Sequence, residues 1–344
     1  MKPPKVSIVI GAYNCERTIQ ETVYSVINQT FKDWELIVVD DCSNDNTVEE
    51  LKAIKAIDDC RISIIRTNEN SGLPAVARNI GIKISKGEFI AFLDHDDIWF
   101  KQKLATQLPY FQSPKIIGVA SDAALIAETP YYRKINWGRS KLGHIDYQYK
   151  DILTHNPIIT SSLVVRREAL EAAGLFDEDR DLFCIEDWEL WLKMARFGLF
   201  RVLEKPLLSY RVSRKRSAKA AIISTNCLKI LEKQVNLGYV EDKDIREPKV
   251  LVYLAIARNL LEFDQQQSRK YYFKALKATS NLRRKIKSCT GILISFFPPC
   301  FKKTTLLVLY KTDLILCSLK DRSREIIKIF CRVRHMANKS MLNK

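Results

Sequence analysis

Long apolar runs are missing from this sequence. No stretch approaches the roughly 20 apolar residues that cross a bilayer. The most apolar segments of the last third, residues 292–297 (closed by Pro298-Pro299) and 306–310, are far shorter. Nor does the start carry a signal-peptide core: residues 6–10 are apolar around Ser7, and Asn14, Glu16 and Arg17 follow. Paired cysteines are missing too. The nine Cys form no C-x-x-C, which argues against a zinc ribbon or a thioredoxin-type site and favours reduced cytosolic thiols. Four His without paired spacing argue against a His-based metal site. Eleven Gly and eleven Pro in 344 residues exclude collagen-like and low-complexity classes.

One sign of charge is almost missing from one region. Residues 265–344 hold 3 Asp+Glu against 19 Lys+Arg, whereas residues 1–264 hold 37 of each. The formal net charge of +16 therefore belongs to the last 80 residues. The neutral body and the basic tail need separate explanations.

The body opens with alternating signals. Residues 6–10, 35–39, 62–66 and 88–93 are β-branched or apolar runs that read as strands. Residues 18–28, 47–57 and 73–85 carry helical stripes, with Asp45 expected as the N-cap of the second. Strands alternating with helices of this length predict a parallel, doubly wound sheet. Ligands of such sheets bind beyond the carboxyl ends of the strands. Three ends here carry Tyr13-Asn14, Asp40-Asp41 and Asp94-His95-Asp96-Asp97. Past residue 120 the signal loosens. A strand at 158–165, a helix at 167–173, a helix at 186–197 and an extended segment at 202–212 are expected. Helices follow near 220–237, 249–263 and 266–279, and residues 257–278 read as a helical hairpin turning near 264–267.

Carboxylates crowded at a strand end repel one another unless a cation neutralises them. Hard oxygen ligands of this kind suit Mg²⁺ or Mn²⁺, completed by substrate phosphates. A solvated acidic turn or a helix N-cap is the alternative. Asp41 can accept from a nucleobase N–H, and Tyr13 offers a ring to stack on a base beside the Asn14 amide.

In order and spacing, residues 6–14, 35–43 (ELIVVDDCS), Ala77-Arg78-Asn79 with Gly81, and 87–97 (GEFIAFLDHDD) resemble the family 2 glycosyltransferases over roughly residues 5–212. The resemblance implies a GT-A fold, a doubly wound, mostly parallel sheet, followed here by a helical C-terminal region. A catalytic domain is expected at 1–215, with a nucleotide half at about 1–120 and an acceptor half at about 121–215, and the helical pattern and charge place a basic helical region at 216–344. The resemblance implies a nucleotide-sugar donor, most simply a UDP-sugar, and inverting transfer. Ala12, Tyr13, Asn14 and Glu16 would form the nucleotide loop, and Asp41 would bind the base edge. Arg78 would lie near the diphosphate, Asp94 near the ribose or metal, and Asp96 would hold the metal; His95, at the variable position between them, would belong to the nucleotide site as a packing or hydrogen-bonding residue rather than a ligand. Glu186-Asp187 resembles the family's E-D motif, with Asp187 as general base; apolar neighbours and the adjacent Glu186 would raise its pKa. Gly174-Leu175-Phe176-Asp177 resembles the segment bordering the acceptor. Cys42 replaces the usual Gly after the paired Asp. The processive Gln-x-x-Arg-Trp motif is absent, the last Trp being Trp191, so a single-sugar, non-processive enzyme is expected. A sugar nucleotidyltransferase would open with a Gly-rich basic loop, which residues 11–14 do not provide. A catalytically idle binding scaffold is the reading from another class.

In the tail, Ile326, Ile327, Phe330 and Val333 recur at helical spacing among Arg322, Arg324, Lys328, Arg332 and Arg334. Such a basic amphipathic helix suits an anionic membrane surface; the alternative is a helical region that packs its apolar face on the catalytic body and leaves the basic face solvated. No nucleic-acid recognition motif accompanies the charge. The expected setting is the cytoplasm, at the inner face of the cytoplasmic membrane, with a lipid-linked or surface-polysaccharide acceptor.

Overall fold

The computed structural model describes residues 2–56, 60–126, 142–211, 216–261 and 263–295. Ile57, Val212, the apolar segment 306–310 and the basic helix expected at 322–334 lie outside these residues. Strands β1 (Val6–Ala12), β2 (Trp34–Asp40), β3 (Ile62–Arg66) and β4 (Phe89–Phe92) alternate with helices α1 (Ile19–Ile27), α2 (Thr47–Lys55) and α3 (Pro74–Ile84). The four strands pair in parallel in the order β3-β2-β1-β4, so their carboxyl ends share one rim.

Sequence periodicity explains the layers. Ile19, Val23 and Val26 lie on one stripe of α1 and pack with Ile8, Ile10, Leu36 and Val38, while Leu51 and Ile54 bring α2 to the same face. The alternate residues Ile37 and Val39 meet Ala77 of α3 on the other face. Gly81 lets α3 approach β1: a Cβ there would stand 2.6 Å from Val9 Cγ1. The N-cap of α2 is Asn46 rather than Asp45. Asp45 instead accepts from the backbone N–H and hydroxyl of Thr47.

The sheet continues through β5 (Ile98–Trp99), α4 (Lys103–Gln107), β6 (Ile116–Ile126), β7 (His144–Tyr147), α5 (Tyr149–Thr154), β8 (Val164–Arg166), α6 (Arg167–Ala173), α7 (Glu186–Met194) and β9 (Leu199–Arg211). Beyond β4 the order is β8-β6-β9-β5, with β7 also on β9. Six of the nine described strands run one way; β5, β7 and β8 run the other. The sheet is mixed, mostly parallel, and doubly wound. The strand expected over 158–165 is a correction. Thr160–Ser162 form a 3-10 turn, and only Val164–Arg166 join the sheet. Local bonds account for this: Ser162 N–H and Oγ both donate to the Ile159 carbonyl, so these groups do not serve a ladder. Phe92, Phe176, Trp191 and Phe200 meet in tilted and edge-on ring pairs beneath α7.

Helices α8 (Arg216–Asn236), α9 (Asp242–Leu260), α10 (Gln265–Ala278) and α11 (Leu282–Ile294) follow. The chain divides into two compact units, Met1–Val252 and Tyr253–Lys344. Within the second unit the expected hairpin is present, with Asp264 capping α10 through Gln267 N–H. There Tyr272 sits where a Cβ on Gly291 would fall, 2.2 Å from its Cζ, so α10 and α11 pack closely.

Candidate active site

The rim begins where β1 ends. Ala12 is buried, and its carbonyl accepts from Asp41 N–H at 2.8 Å. Tyr13 is exposed, its ring free to face a planar partner. Asn14 adopts a left-handed φ of 48°; its N–H donates to Ser43 Oγ, and its Oδ1 accepts from Asn44 N–H at 3.0 Å. Glu16 Oε2 accepts from Asn46 N–H at 3.0 Å. Asn14 and Glu16 thus fasten the β1 loop to the start of α2. Asp41 is buried and holds the next loop: Ser71 N–H, Ser71 Oγ and Thr67 Oγ1 all donate to its carboxylate. Between Asp41 and Ser43, Cys42 takes a φ of 60°, which is the conformation that favours glycine there.

The end of β4 carries the acidic cluster. Asp94 and Asp96 are partly exposed, whereas Asp97 is fully buried. Asp97 turns inward, accepting from Ser161 Oγ and from Arg211 N–H at 2.9 Å. Burial first, then the charge of Asp94, pushes Asp97 up to about 8. Burial also raises Asp96, with Asp94 adding and His95 opposing. The carbonyl of His95 accepts from Thr22 Oγ1, and its Nδ1 is buried without a hydrogen-bond partner among the described residues. Asp94 N–H donates to Ser161 Oγ at 3.0 Å.

Arg78 joins this cluster to the second half. Its guanidinium donates to Asp94 Oδ1 at 2.7 Å and to Glu186 Oε1 at 2.8 Å. Burial opposes its charge, but the two carboxylates outweigh burial and hold it protonated. The adjacent Asn79 grips the Phe176 backbone on both its N–H and its carbonyl. Phe176 follows Gly174 and Leu175, both of positive φ, and Asp177 beyond it pairs with Lys233 of α8 at 2.6 Å.

Asp187 stands in the first turn of α7, partly exposed. Its Oδ1 accepts from Trp188 N–H, and its Oδ2 accepts from Thr160 Oγ1 at 3.0 Å and Asn156 Nδ2 at 3.2 Å. Burial, then the charge of Glu186, pushes Asp187 up to about 7 against the pull of Arg78 and its hydrogen bonds. A carboxyl poised there can accept a proton near neutral pH. Burial and then the charge of Asp187 push the Cys227 thiol of α8 up to about 12. Asn156, Thr160 and Ser161 are residues that sequence reasoning passed over. Their signal is a run of hydroxyls, Thr160-Ser161-Ser162, set inside apolar residues.

Residues 7–174 match the family model described as Glycosyl transferase family 2. The Escherichia coli UDP-Glc:alpha-D-GlcNAc-diphosphoundecaprenol beta-1,3-glucosyltransferase WfaP is 32% identical over 200 residues, 56% of this chain and 71% of that protein. A second E. coli protein of the same description, WfgD, is 30% identical over 269 residues, 77% of this chain and 98% of its own length. Among solved structures, the mannosyltransferase PcManGT from Pyrobaculum calidifontis, in complex with GDP-Man and Mn²⁺, superposes with a TM-score of 0.58 at 17% identity, over 94% of this chain and 89% of that one. That likeness carries the fold, and the sequence relatives carry the family. With its doubly wound sheet of the GT-A type and helical C-terminal region, the chain belongs to glycosyltransferase family 2.

Proposed function

We propose that this glycosyltransferase moves one sugar from a UDP-sugar to an acceptor hydroxyl by a single, inverting displacement. The proposed acceptor is a lipid-linked glycan or a growing surface polysaccharide. The observation that carries the reading is Asp187, a carboxyl held by Thr160, Asn156 and Trp188 N–H and raised to about 7. Its neighbour in sequence, Glu186, is joined to Asp94 through Arg78. Asp187 takes the proton of the attacking hydroxyl, and a single attack on the face opposite the leaving group inverts the anomeric centre. The descriptions of the E. coli relatives, which name UDP-Glc and a diphosphoundecaprenol-linked GlcNAc, support the donor and acceptor classes.

In the nucleotide half, about residues 1–120, Tyr13 stacks on the base and Asp41 shapes its pocket by holding the Ser71 loop. Ala12, Asn14 and Glu16 set the course of that half's first loop. Arg78 and His95 border the diphosphate and ribose. Residues 121–215 supply the acceptor half.

Asp94 and Asp96 fit a divalent cation. They are partly exposed oxygen donors, and burial with mutual repulsion raises Asp96, crowding that a cation relieves. Among the described residues no group of three His, Cys, Asp or Glu is placed to hold a metal; Mg²⁺ and Mn²⁺ in nucleotide sites take several ligands from phosphate and water. When bound, such an ion neutralises charge on the departing diphosphate. The Mn²⁺ of PcManGT supports the same view.

Turnover of donor–acceptor pairs tests the base. Asp187→Asn lowers kcat by about 10²–10⁴-fold, the range for a general base, and wild-type kcat/KM falls as pH drops through about 7. Near-normal turnover of this variant defeats the assignment. Asp96→Ala with unchanged Mn²⁺ dependence defeats the metal site. Nucleotide-sugar binding without turnover across a donor panel favours the idle scaffold.

A second reading concerns the basic residues 265–344. They hold the enzyme against the anionic inner face of the cytoplasmic membrane, close to a lipid-linked acceptor. Among the described residues no helix is long and apolar enough to cross a membrane. Co-sedimentation with anionic vesicles tests this: a chain ending after residue 285 loses binding, and equal binding of the two chains defeats the reading.

A further inference from the structure

We infer that Thr160 and Ser161 form a two-ended positioning element, one end orienting and charging Asp187 and the other holding the loop that carries Asp94 and Asp96. The Thr160 end rests on the reading of Asp187 as the base. The two side chains are neighbours on one 3-10 turn but serve carboxylates from different parts of the chain. Thr160 Oγ1 donates to Asp187 Oδ2 at 3.0 Å. Ser161 Oγ accepts from Asp94 N–H at 3.0 Å and donates to Asp97 Oδ2. One hydroxyl thereby fixes both ends of the 94–97 loop.

The turn itself is immobilised from below. Trp99 Nε1 donates to the Ser161 carbonyl at 2.7 Å, and Gln107 Nε2 donates to the Ser162 carbonyl at 2.8 Å. Gln107 is held in turn by Lys103 Nζ. Thr160 is 7% exposed, and Ser161 and Ser162 are fully buried. Hydroxyls buried at this depth are aimed by their partners, since an unpaired one is costly. Small displacements of the turn move the base and the acidic loop together.

The groups facing Asp187 come from four elements: Glu186 and Trp188 N–H from α7, Arg78 from α3, Asn156 and Thr160 from the turn and its approach, and Cys227 from α8. Thr160 supplies a donor to the ionised form, so it lowers the pH at which Asp187 works. The Ser161 hydroxyl bonds Asp94 and Asp97 rather than the base.

The experiment uses the full chain with Thr160→Val, Thr160→Ser, Ser161→Ala and Asp187→Asn. Thr160→Val shifts the acid limb of kcat/KM upward by about one pH unit, the scale of one hydrogen bond to a charged group. Its rate approaches wild type at pH 9, and Thr160→Ser restores the wild-type limb. Ser161→Ala leaves that limb in place but weakens calorimetric binding of Mn²⁺ plus UDP by about tenfold, the loss expected when support behind a ligand is removed. A Thr160→Val limb that stays put, with a loss uniform across pH, overturns the Thr160 assignment; so does failure of Thr160→Ser to restore the limb. Unchanged Mn²⁺ and UDP binding by Ser161→Ala overturns the Ser161 assignment. Full activity in Asp187→Asn removes the base reading and the Thr160 end with it. An inactive Asp187→Asn beside an unshifted Thr160→Val overturns Thr160 alone.

Discussion

Arg78 and Glu186, separated by 108 residues, form a buried ion pair at 2.8 Å. The same guanidinium reaches Asp94 at 2.7 Å. Its planar fork serves two carboxylates from different elements, a task the single ammonium of lysine performs poorly. Replacing Arg78 by Met leaves two carboxylates facing each other without a cation. We predict a loss of about 3–5 kcal/mol in urea unfolding, the scale for breaking a buried pair. Arg78→Lys recovers only part of it. A change under 1 kcal/mol in the Met variant (the scale of an exposed pair) would contradict the bridge.

Asp187 carries a cost to the fold that is visible against pH. Its ordinary value is 3.8, and in the folded chain it rises to about 7. Between those values the folded state keeps a proton that the unfolded chain has released. Stability from this group is therefore lost as pH rises through that window. Asp187→Asn, though inactive, melts above wild type at pH 8, and the gap narrows toward pH 5. Thermal melts at the two pH values check this, and a gap of equal size at both would count against it.

Cys42 adopts φ 60° immediately after Asp41. A side chain in this left-handed region costs on the order of 1 kcal/mol. Cys42→Gly relieves that strain while giving back some backbone entropy in the unfolded chain. We expect a net gain of about 0.5 kcal/mol and a melting point higher by roughly one to two degrees. A lower melting point would show that the thiol contributes packing worth more than the strain.

Gly81 is the tight point between α3 and β1, where a Cβ would lie 2.6 Å from Val9 Cγ1. Gly81→Ala should destabilise by about 1–3 kcal/mol, as overpacking does, despite the better helix propensity of alanine. Because Arg78 rides on the same helix, the variant should also raise KM for the donor. Steady-state kinetics and denaturant melts measure the two effects.

The first hundred residues were legible because each strand is a short apolar run that ends in polar residues on one rim. Asp40 at the end of β2, Asp41 after it and Asp94 after β4 stand where that pattern puts them. The later half resisted for identifiable reasons. Strand β6 contains Ser121 and Asp122 in a buried ladder, which breaks the apolar signature of a strand. The 158–165 run looked extended, yet its hydroxyls bond locally and fold it into a turn. Helix α11 carries its basic residues near its start, without the acidic first turn that marks many helices, so local pattern does not mark it. Individual candidate residues could be named from local pattern. Their pairings could not, since Arg78 with Glu186 and Thr160 with Asp187 join segments that only the tertiary fold brings together.

Strand β9 has a consequence for the order in which the molecule is made. It lies between β6 and β5, and among the described residues β5 pairs in the sheet with β9 alone. Its last residue, Arg211, supplies the N–H that fixes Asp97, 114 residues earlier in the chain. During synthesis at about 5–20 residues per second, the acidic loop thus emerges several seconds before the strand that completes it. Over that interval the parallel strands β1 to β4 can assemble, while the loop waits with its carboxylates open to solvent. The hydrogen bond from the Arg211 N–H to Asp97 can form only once β9 has been made.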